Sequence, residues 1–237
     1  MPSKNYSHIF FDLDHTLWDY DKNAEITLSD LFDKYELKVH GVSSIKAFLA
    51  SFMAVNEDLW SSFNGGKIDK FYLRNERFRL VFEAAGANME DVSEQTLKDF
   101  NRDFLRSCPK KGNLMKGVRE ILEYLKPRYQ LNIITNGFEE VQSTKLESAG
   151  IHHYFDKVIT SEKAGFKKPF AGIFYYAMKH CNAQKEHSIM IGDNLFTDIK
   201  GARDYEIDQV FYNPNKVIHK EAITYEITMI DELKEIL

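Results

Sequence analysis

His8-Ile9-Phe10-Phe11-Asp12-Leu13-Asp14-His15-Thr16-Leu17 decides how the rest of the chain is read. An apolar run, Ile9-Phe10-Phe11, rich in β-branched and aromatic residues, stops at two aspartates spaced i, i+2. Such a run predicts a strand buried on both faces, the kind found in parallel sheets. The carboxylates then stand where the strand ends, and in open α/β sheets ligands bind at the carboxyl ends of strands. Two acids side by side in a half-buried crevice repel each other unless a cation joins them or one stays protonated. Hard divalent cations such as Mg2+ take oxygen ligands, commonly one or two carboxylates plus a substrate phosphate. The stretch therefore predicts a metal-dependent phosphate site.

Downstream the pattern turns helical for nearly a hundred residues. Ala24, Leu28, Leu31, Phe32 and Tyr35 share one helical face; Phe48, Phe52, Val55 and Leu59 share a second, which ends before Gly65-Gly66. Phe71, Phe78, Val81, Phe82 and Ala85 mark a third helix closed by Gly86, and Leu97, Phe100 and Phe104 a fourth. Residues 19–106 thus read as a four-helix-bundle-like α-helical unit. From Gly117 strand and helix alternate. A helix through Val118, Ile121, Leu122 and Leu125 precedes the strand Leu131–Ile134, and a further helix runs to Ala149. Val158-Ile159 follows, then a helix with Ile173, Phe174, Ala177 and Met178, and the strand Ser188–Ile191. Val210-Phe211 reads as a fifth strand and Ile230–Leu237 as a closing helix. Alternation of this kind predicts an α/β fold with a parallel sheet covered by helices. Residues 1–18 and 107–237 form that core, and the helical unit is inserted between strand 1 and the rest.

Composition excludes several function classes. The 237 residues carry 43% hydrophobic and 14% aromatic side chains, ample for a packed core. Net charge is −5, with no basic block, which argues against binding a nucleic-acid backbone. Cys108 and Cys181 offer neither ligand spacing nor a disulfide framework. No apolar run is long enough to span a membrane, and Met1-Pro2-Ser3-Lys4-Asn5 leads to the first strand without a signal-peptide core. A cytoplasmic protein, monomer or weak homodimer, is expected.

Three later features also lie just past a buried strand, which predicts one shared crevice. Thr135-Asn136-Gly137 offers a hydroxyl and backbone N–H groups at a strand-to-helix turn, a cradle for phosphate; alone, it would read as ordinary N-capping. Lys168, before Pro169, would offset charge on a transferring phosphoryl group, whereas Lys167 reads as solvated. Gly192-Asp193-Asn194-Leu195-Phe196-Thr197-Asp198 puts Asp193 at a strand end as a third acid around the cation. Asp198 reads either as a helix cap or as a partner of Lys168. Asp12, ionised near neutrality, needs no base to act as a nucleophile. Asp14 points to the same side, positioned to protonate the leaving oxygen and then activate water.

Asp12-Leu13-Asp14-His15-Thr16, Thr135-Asn136-Gly137, Lys168-Pro169 and Gly192-Asp193-(four residues)-Asp198 resemble, in order, the four signature motifs of the haloacid dehalogenase-like hydrolases. The resemblance implies a Rossmann-like core and a phosphoaspartate mechanism with Mg2+. By that likeness Asp12 is the nucleophile and Asp14 the acid/base. Asp12, the Asp14 backbone carbonyl and Asp193 hold the metal, Thr135 the phosphate, and Lys168 the developing charge. The helical insertion is similar to the family's first cap type, with segments 17–21 and 107–116 as hinges for closure. True dehalogenases of the family lack the second aspartate of the first motif, so Asp14 argues for a phosphatase. Val55-Asn56-(two residues)-Leu59-Trp60 and Ile134-Thr135-Asn136-Gly137-Phe138 resemble the house-cleaning pyrimidine 5'-nucleotidases, which act on nucleoside monophosphates. A nucleotidase needs an aromatic face to stack a base; Trp60, Phe63 and Asn56 are candidates, against the reading that they pack the bundle.

A phosphatase for other small metabolites such as sugar phosphates is the nearest alternative reading. A phosphoacceptor signalling domain would share the aspartyl phosphate, Mg2+, Thr and Lys, but carries no large helical insertion. A scaffold that kept the fold without turnover would have no need of Asp12, Asp14, Thr135, Lys168 and Asp193 together.

Overall fold

The computed structural model describes residues 5–237. Met1-Pro2-Ser3-Lys4, most of the leading stretch read above for a signal-peptide core, lies outside them. The described chain divides into two compact units, one running through Tyr20 and resuming over Gly112–Leu237, the other Asp21–Lys111. No helix among the described residues is long and apolar enough to cross a membrane.

The first unit is built on a six-stranded, wholly parallel sheet. Its strands are β1 (His8–Phe11), β2 (Gln130–Thr135), β3 (Lys157–Thr160), β4 (Ser188–Gly192), β5 (Asp208–Tyr212) and β6 (Tyr225–Ile227), in the order β3-β2-β1-β4-β5-β6. Strand order reverses beside β1, and a crevice opens at such a switch point beyond the strand ends. Ile9, Phe10 and Phe11 are fully buried. Because side chains alternate faces along a strand, both faces of β1 must be covered. On one face Phe10 packs with Ile134, Phe174, Met190 and Ala202. Burying each such side chain contributes roughly 1.5–3 kcal/mol. The register pairs Phe11 with Ile133 and with Ile191, so the ends of β1, β2 and β4 lie side by side.

In the second unit α1 (Tyr20–Lys34) leads into α2 (Ile45–Asn64), α3 (Lys70–Ala84) and α4 (Glu94–Ser107). Ser44, Asp69 and Ser93 cap the last three helices by accepting from the backbone N–H groups of Ala47, Tyr72 and Thr96. The interior is a phenylalanine cluster of Phe48, Phe52, Phe78, Phe82, Phe100 and Phe104. Phe78 contacts Phe100 and Phe104 edge-on at ring separations of 4.8 and 5.1 Å.

Two local expectations are corrected, and one strand is added. Phe71, placed on the packed face of α3, is 76% exposed, because it lies in the helix's first turn, before the packed stripe begins at Leu73. The closing segment is a 3-10 helix over Ile230–Glu235, not a helix to Leu237. β6 was unforeseen; at three residues it is too short for alternation to register.

Candidate active site

Asp12 follows β1 directly, and its backbone N–H still donates to the Ile191 carbonyl of β4 at 2.9 Å, so its side chain leaves the sheet edge at a fixed place. The chain then folds back on itself. Leu13 O accepts from both Leu17 N and Trp18 N, at 2.9 and 2.8 Å, while His15 turns through the left-handed region at φ +63°. That conformation is uncommon for a residue with a Cβ and recurs at functional sites. Asp193 follows the end of β4, where its Oδ1 accepts from the buried Thr16 hydroxyl at 2.9 Å.

Asp198 arrives by a different route. Asn194 caps the segment after β4, its side chain accepting from Phe196 N and Thr197 N at 3.0 and 2.9 Å. The capping role considered above for Asp198 thus belongs to Asn194. The wide π-helical turn Leu195–Lys200 brings Asp198 back over Gly192, where a Cβ would run into the Asp198 carboxylate. Carboxylate oxygens of Asp12, Asp193 and Asp198 all lie within 4.8 Å of one another.

Lys168 binds this cluster together. Its Nζ lies 2.6 Å from Asp12 Oδ1 and 2.6 Å from Asp198 Oδ1, with only 2% of its side chain exposed. Asn136 fixes the backbone on which Lys168 rides. Its Oδ1 accepts from Lys168 N at 2.8 Å and its Nδ2 donates to Lys168 O at 2.9 Å. The Asn136 side chain is therefore engaged as a brace of the Lys168 backbone. Thr135 is buried at the end of β2, its Oγ1 accepting from Gly137 N at 2.9 Å. A Cβ on Gly137 would meet Gln142 Nε2 at 2.5 Å and Thr135 Oγ1 at 3.1 Å, so the turn closes this tightly only around a glycine.

Asp14 has a different partner from Asp12. Both its oxygens accept from Lys145 Nζ, at 2.6 and 2.8 Å. Trp60 and Asn56 belong to the helical unit. Asn56 is buried on α2 with no hydrogen-bond partner for its Oδ1, and Trp60, partly exposed, contacts Phe63 edge-on at 5.6 Å. Lys167, read as solvated, is only partly exposed, and burial lowers its ammonium pKa.

The electrostatics follow from burial. Loss of water pushes the Asp12 carboxyl well above the usual range; Lys168 pulls it down, while Asp198 and Asp193 push it further up. Burial and then the Asp198 charge push Asp193 up to about 6, against the opposing pull of His15, Thr16 and Lys168. Burial alone would lower the Lys168 ammonium, but the Asp12 and Asp198 charges outweigh it and hold it above its ordinary value. With all three acids ionised, one ammonium leaves an excess of two negative charges in a buried site, and burial together with that excess pushes the Asp12 and Asp193 carboxyls up. One hard divalent cation with oxygen ligands supplies that complement. The donor set therefore fits Mg2+. Asp12 and Asp193 are the side chains most open to it: both oxygens of Asp14 are held by Lys145, and those of Asp198 by Lys168 and Asn194 N, whereas Lys168 takes Asp12 at Oδ1.

Lys145 and Thr16 were missed in the sequence. Thr16 lay inside a quoted motif without a role, and Lys145 sits on α6 (Glu139–Ser148), a helix to which the sequence reading gave no functional residue.

Comparison with known proteins identifies the family. A pyrimidine 5'-nucleotidase, PynA, of Streptococcus pneumoniae is 32% identical over 237 residues, covering 98% of this chain and 95% of its own. A glyceraldehyde 3-phosphate phosphatase of Pyrococcus furiosus is 31% identical, over 97% of this chain and 92% of its own. The crystal structure of the HAD-hydrolase YfnB from Bacillus subtilis, bound to magnesium, superposes with a TM-score of 0.85 at 27% identity, covering 98% of this chain and 99% of that one. The haloacid dehalogenase-like hydrolase family model matches residues 9–212, from within β1 to the end of β5. A match of that extent, on a sheet whose strand ends gather the expected acids, means that the chain belongs to the haloacid dehalogenase-like hydrolases.

Proposed function

We propose that this hydrolase is a Mg2+-dependent phosphomonoesterase that works through a phosphorylated Asp12, with a nucleoside 5'-monophosphate, pyrimidine by preference, as substrate. The observation that carries the chemistry is the Asp12–Lys168–Asp198 chain with Asp193 beside it. Asp12 attacks phosphorus, the bond to the ester oxygen breaks, and Asp14 gives that oxygen a proton. Water then attacks the same phosphorus, its proton passes to Asp14, and Asp12 is released with inorganic phosphate. Lys168, held between Asp12 and Asp198, stabilises charge on the phosphoryl oxygens and keeps Asp12 aimed. The Thr135 hydroxyl and the Gly137 turn bind a phosphoryl oxygen. A bound Mg2+, held by Asp12, Asp193 and the Asp14 backbone carbonyl, would neutralise phosphate charge and polarise the phosphoryl group.

The nucleotide preference is supported by the likeness to the Streptococcus enzyme. The likeness to the Pyrococcus enzyme, at nearly equal identity, favours a triose phosphate as the second reading. Phosphate release from a panel of nucleoside monophosphates and sugar phosphates, with and without Mg2+, tests both. Steady turnover of pyrimidine nucleotides ahead of glyceraldehyde 3-phosphate supports the first reading, and the reverse order supports the second. No Mg2+-dependent release from any ester would end the proposal.

A further inference from the structure

α6 buries Gln142, Lys145 and Leu146 on one face, at the i, i+3, i+4 spacing of a packed stripe. A lysine in the middle of such a stripe is costly to desolvate unless its charge is met. Here it is met twice. The two oxygens of Asp14 accept from Nζ at 2.6 and 2.8 Å, and the ammonium stands 4.6 Å from the centroid of the fully buried Trp18 ring. The Lys145 side chain is 7% exposed and that of Asp14 22%. Stability is a weak reason for this arrangement, because apolar residues of similar volume hold a packed helix face as well or better.

We propose that Lys145 is the positioning residue of the acid/base, fixing the direction in which Asp14 presents its oxygen to the reacting ester; the proposal rests on the acid/base reading of Asp14 above. Two contacts from one nitrogen to both oxygens of a carboxylate fix its rotation as well as its place. Trp18 backs the ammonium, and the loop that carries Asp14 is itself pinned by Leu13 O accepting from Leu17 N and Trp18 N. The same Asp14 oxygen must give a proton to the departing alcohol in the first displacement and take one from water in the second. A carboxyl group free to rotate serves both transfers poorly, since small errors in alignment cost rate steeply. Because α6 begins just beyond the Thr135-Asn136-Gly137 turn, one rigid piece of the fold carries both Lys145 and the proposed phosphate cradle.

The test compares two esters of similar size, p-nitrophenyl phosphate and benzyl phosphate, with wild type, Lys145→Met, Lys145→Arg and Asp14→Asn. The nitrophenolate leaves without a proton and the benzyl alkoxide does not, and kcat/KM includes the departure of the alcohol. Lys145→Met should lower kcat/KM for benzyl phosphate about tenfold or more while the p-nitrophenyl phosphate value stays within about threefold, a split expected of impaired proton transfer. Lys145→Arg, which keeps the charge and moves the donors, should recover part of the benzyl phosphate rate. Should Lys145→Met not fold, Lys145→Arg must itself lose more on benzyl phosphate than on p-nitrophenyl phosphate. Equal losses on both esters, or none, would overturn the role of Lys145. If Asp14→Asn also lacks the split, the acid/base reading has failed; if only the Lys145 variants lack it, the positioning proposal alone has failed.

Discussion

The two units of the molecule treat charge in opposite ways. In the helical unit the interior is phenylalanine, and most ionised groups stay at the rim, as in Lys34–Asp103, where Lys34 is 59% exposed, and in Arg79 between Glu76 and Glu83. Arg77 is the exception, buried with its guanidinium over the rings of Phe78 and Phe104. The α/β unit carries surface pairs too, such as Lys185–Glu206, but it also gathers one set of ionised groups inside, where Asp12, Asp193, Asp198 and Lys168 meet beyond the strand ends and Asp14 meets Lys145. Buried charge is a poor way to hold a fold together and a good way to hold a reacting group in place. The contrast separates a unit whose interior serves packing from one whose interior serves chemistry.

Substitutions in the charged interior should therefore remove activity, and those in the phenylalanine interior should remove stability. Asp12→Asn should abolish phosphate release, by on the order of 10⁴-fold or more as for loss of other nucleophiles, while a cooperative thermal transition is retained. Chelation with EDTA should abolish turnover, and added Mg2+ should restore it. Mg2+ should also raise the wild-type thermal midpoint by mass action, with the shift reduced in Asp193→Asn; an equal shift in both would remove Asp193 from the cation site. Phe100→Ala should cost about 3–5 kcal/mol in denaturant unfolding, because Phe100 is fully buried against Phe48, Phe78 and Phe82.

The smallest effect belongs to the rim. Hydrogen bonding to Lys34 first, and to Tyr35, holds the Asp103 carboxyl below its usual range, against the opposing effect of burial. A depressed folded-state pKa means that the contribution is present above the unfolded value of about 3.9 and is lost as pH falls through the folded value. Asp103→Asn should cost about 0.2–1 kcal/mol at neutral pH, and that difference should vanish in strongly acidic solution. A difference that persists there would assign the loss to packing.

Legibility in the sequence follows the same division. Ile9–Phe11 and Ser188–Ile191 could be read because unbroken apolar runs of that length fit central strands, and the polar residues at their ends then mark the crevice. That reasoning located Asp12, Thr135, Lys168, Asp193 and Asp198 at one edge without coordinates. It did not show that the Asn136 side chain braces the Lys168 backbone, a pairing across 32 residues of sequence. Lys145 left no local trace, since its partner Asp14 is 131 residues away in sequence and no motif surrounds it on α6. Thr16 is more remote still from Asp193, at 177 residues. Phe71 shows the converse, a periodicity that extends one turn beyond the packing it stands for.

Transfer of the phosphoryl group to Asp12 and then to water requires two displacements at phosphorus. The stereochemical course with a chiral, isotopically labelled thiophosphate ester reads that number directly, whatever the lifetime of the intermediate. Net retention of configuration is the predicted result. Inversion would mean that water attacks the ester in a single step, and would contradict the account.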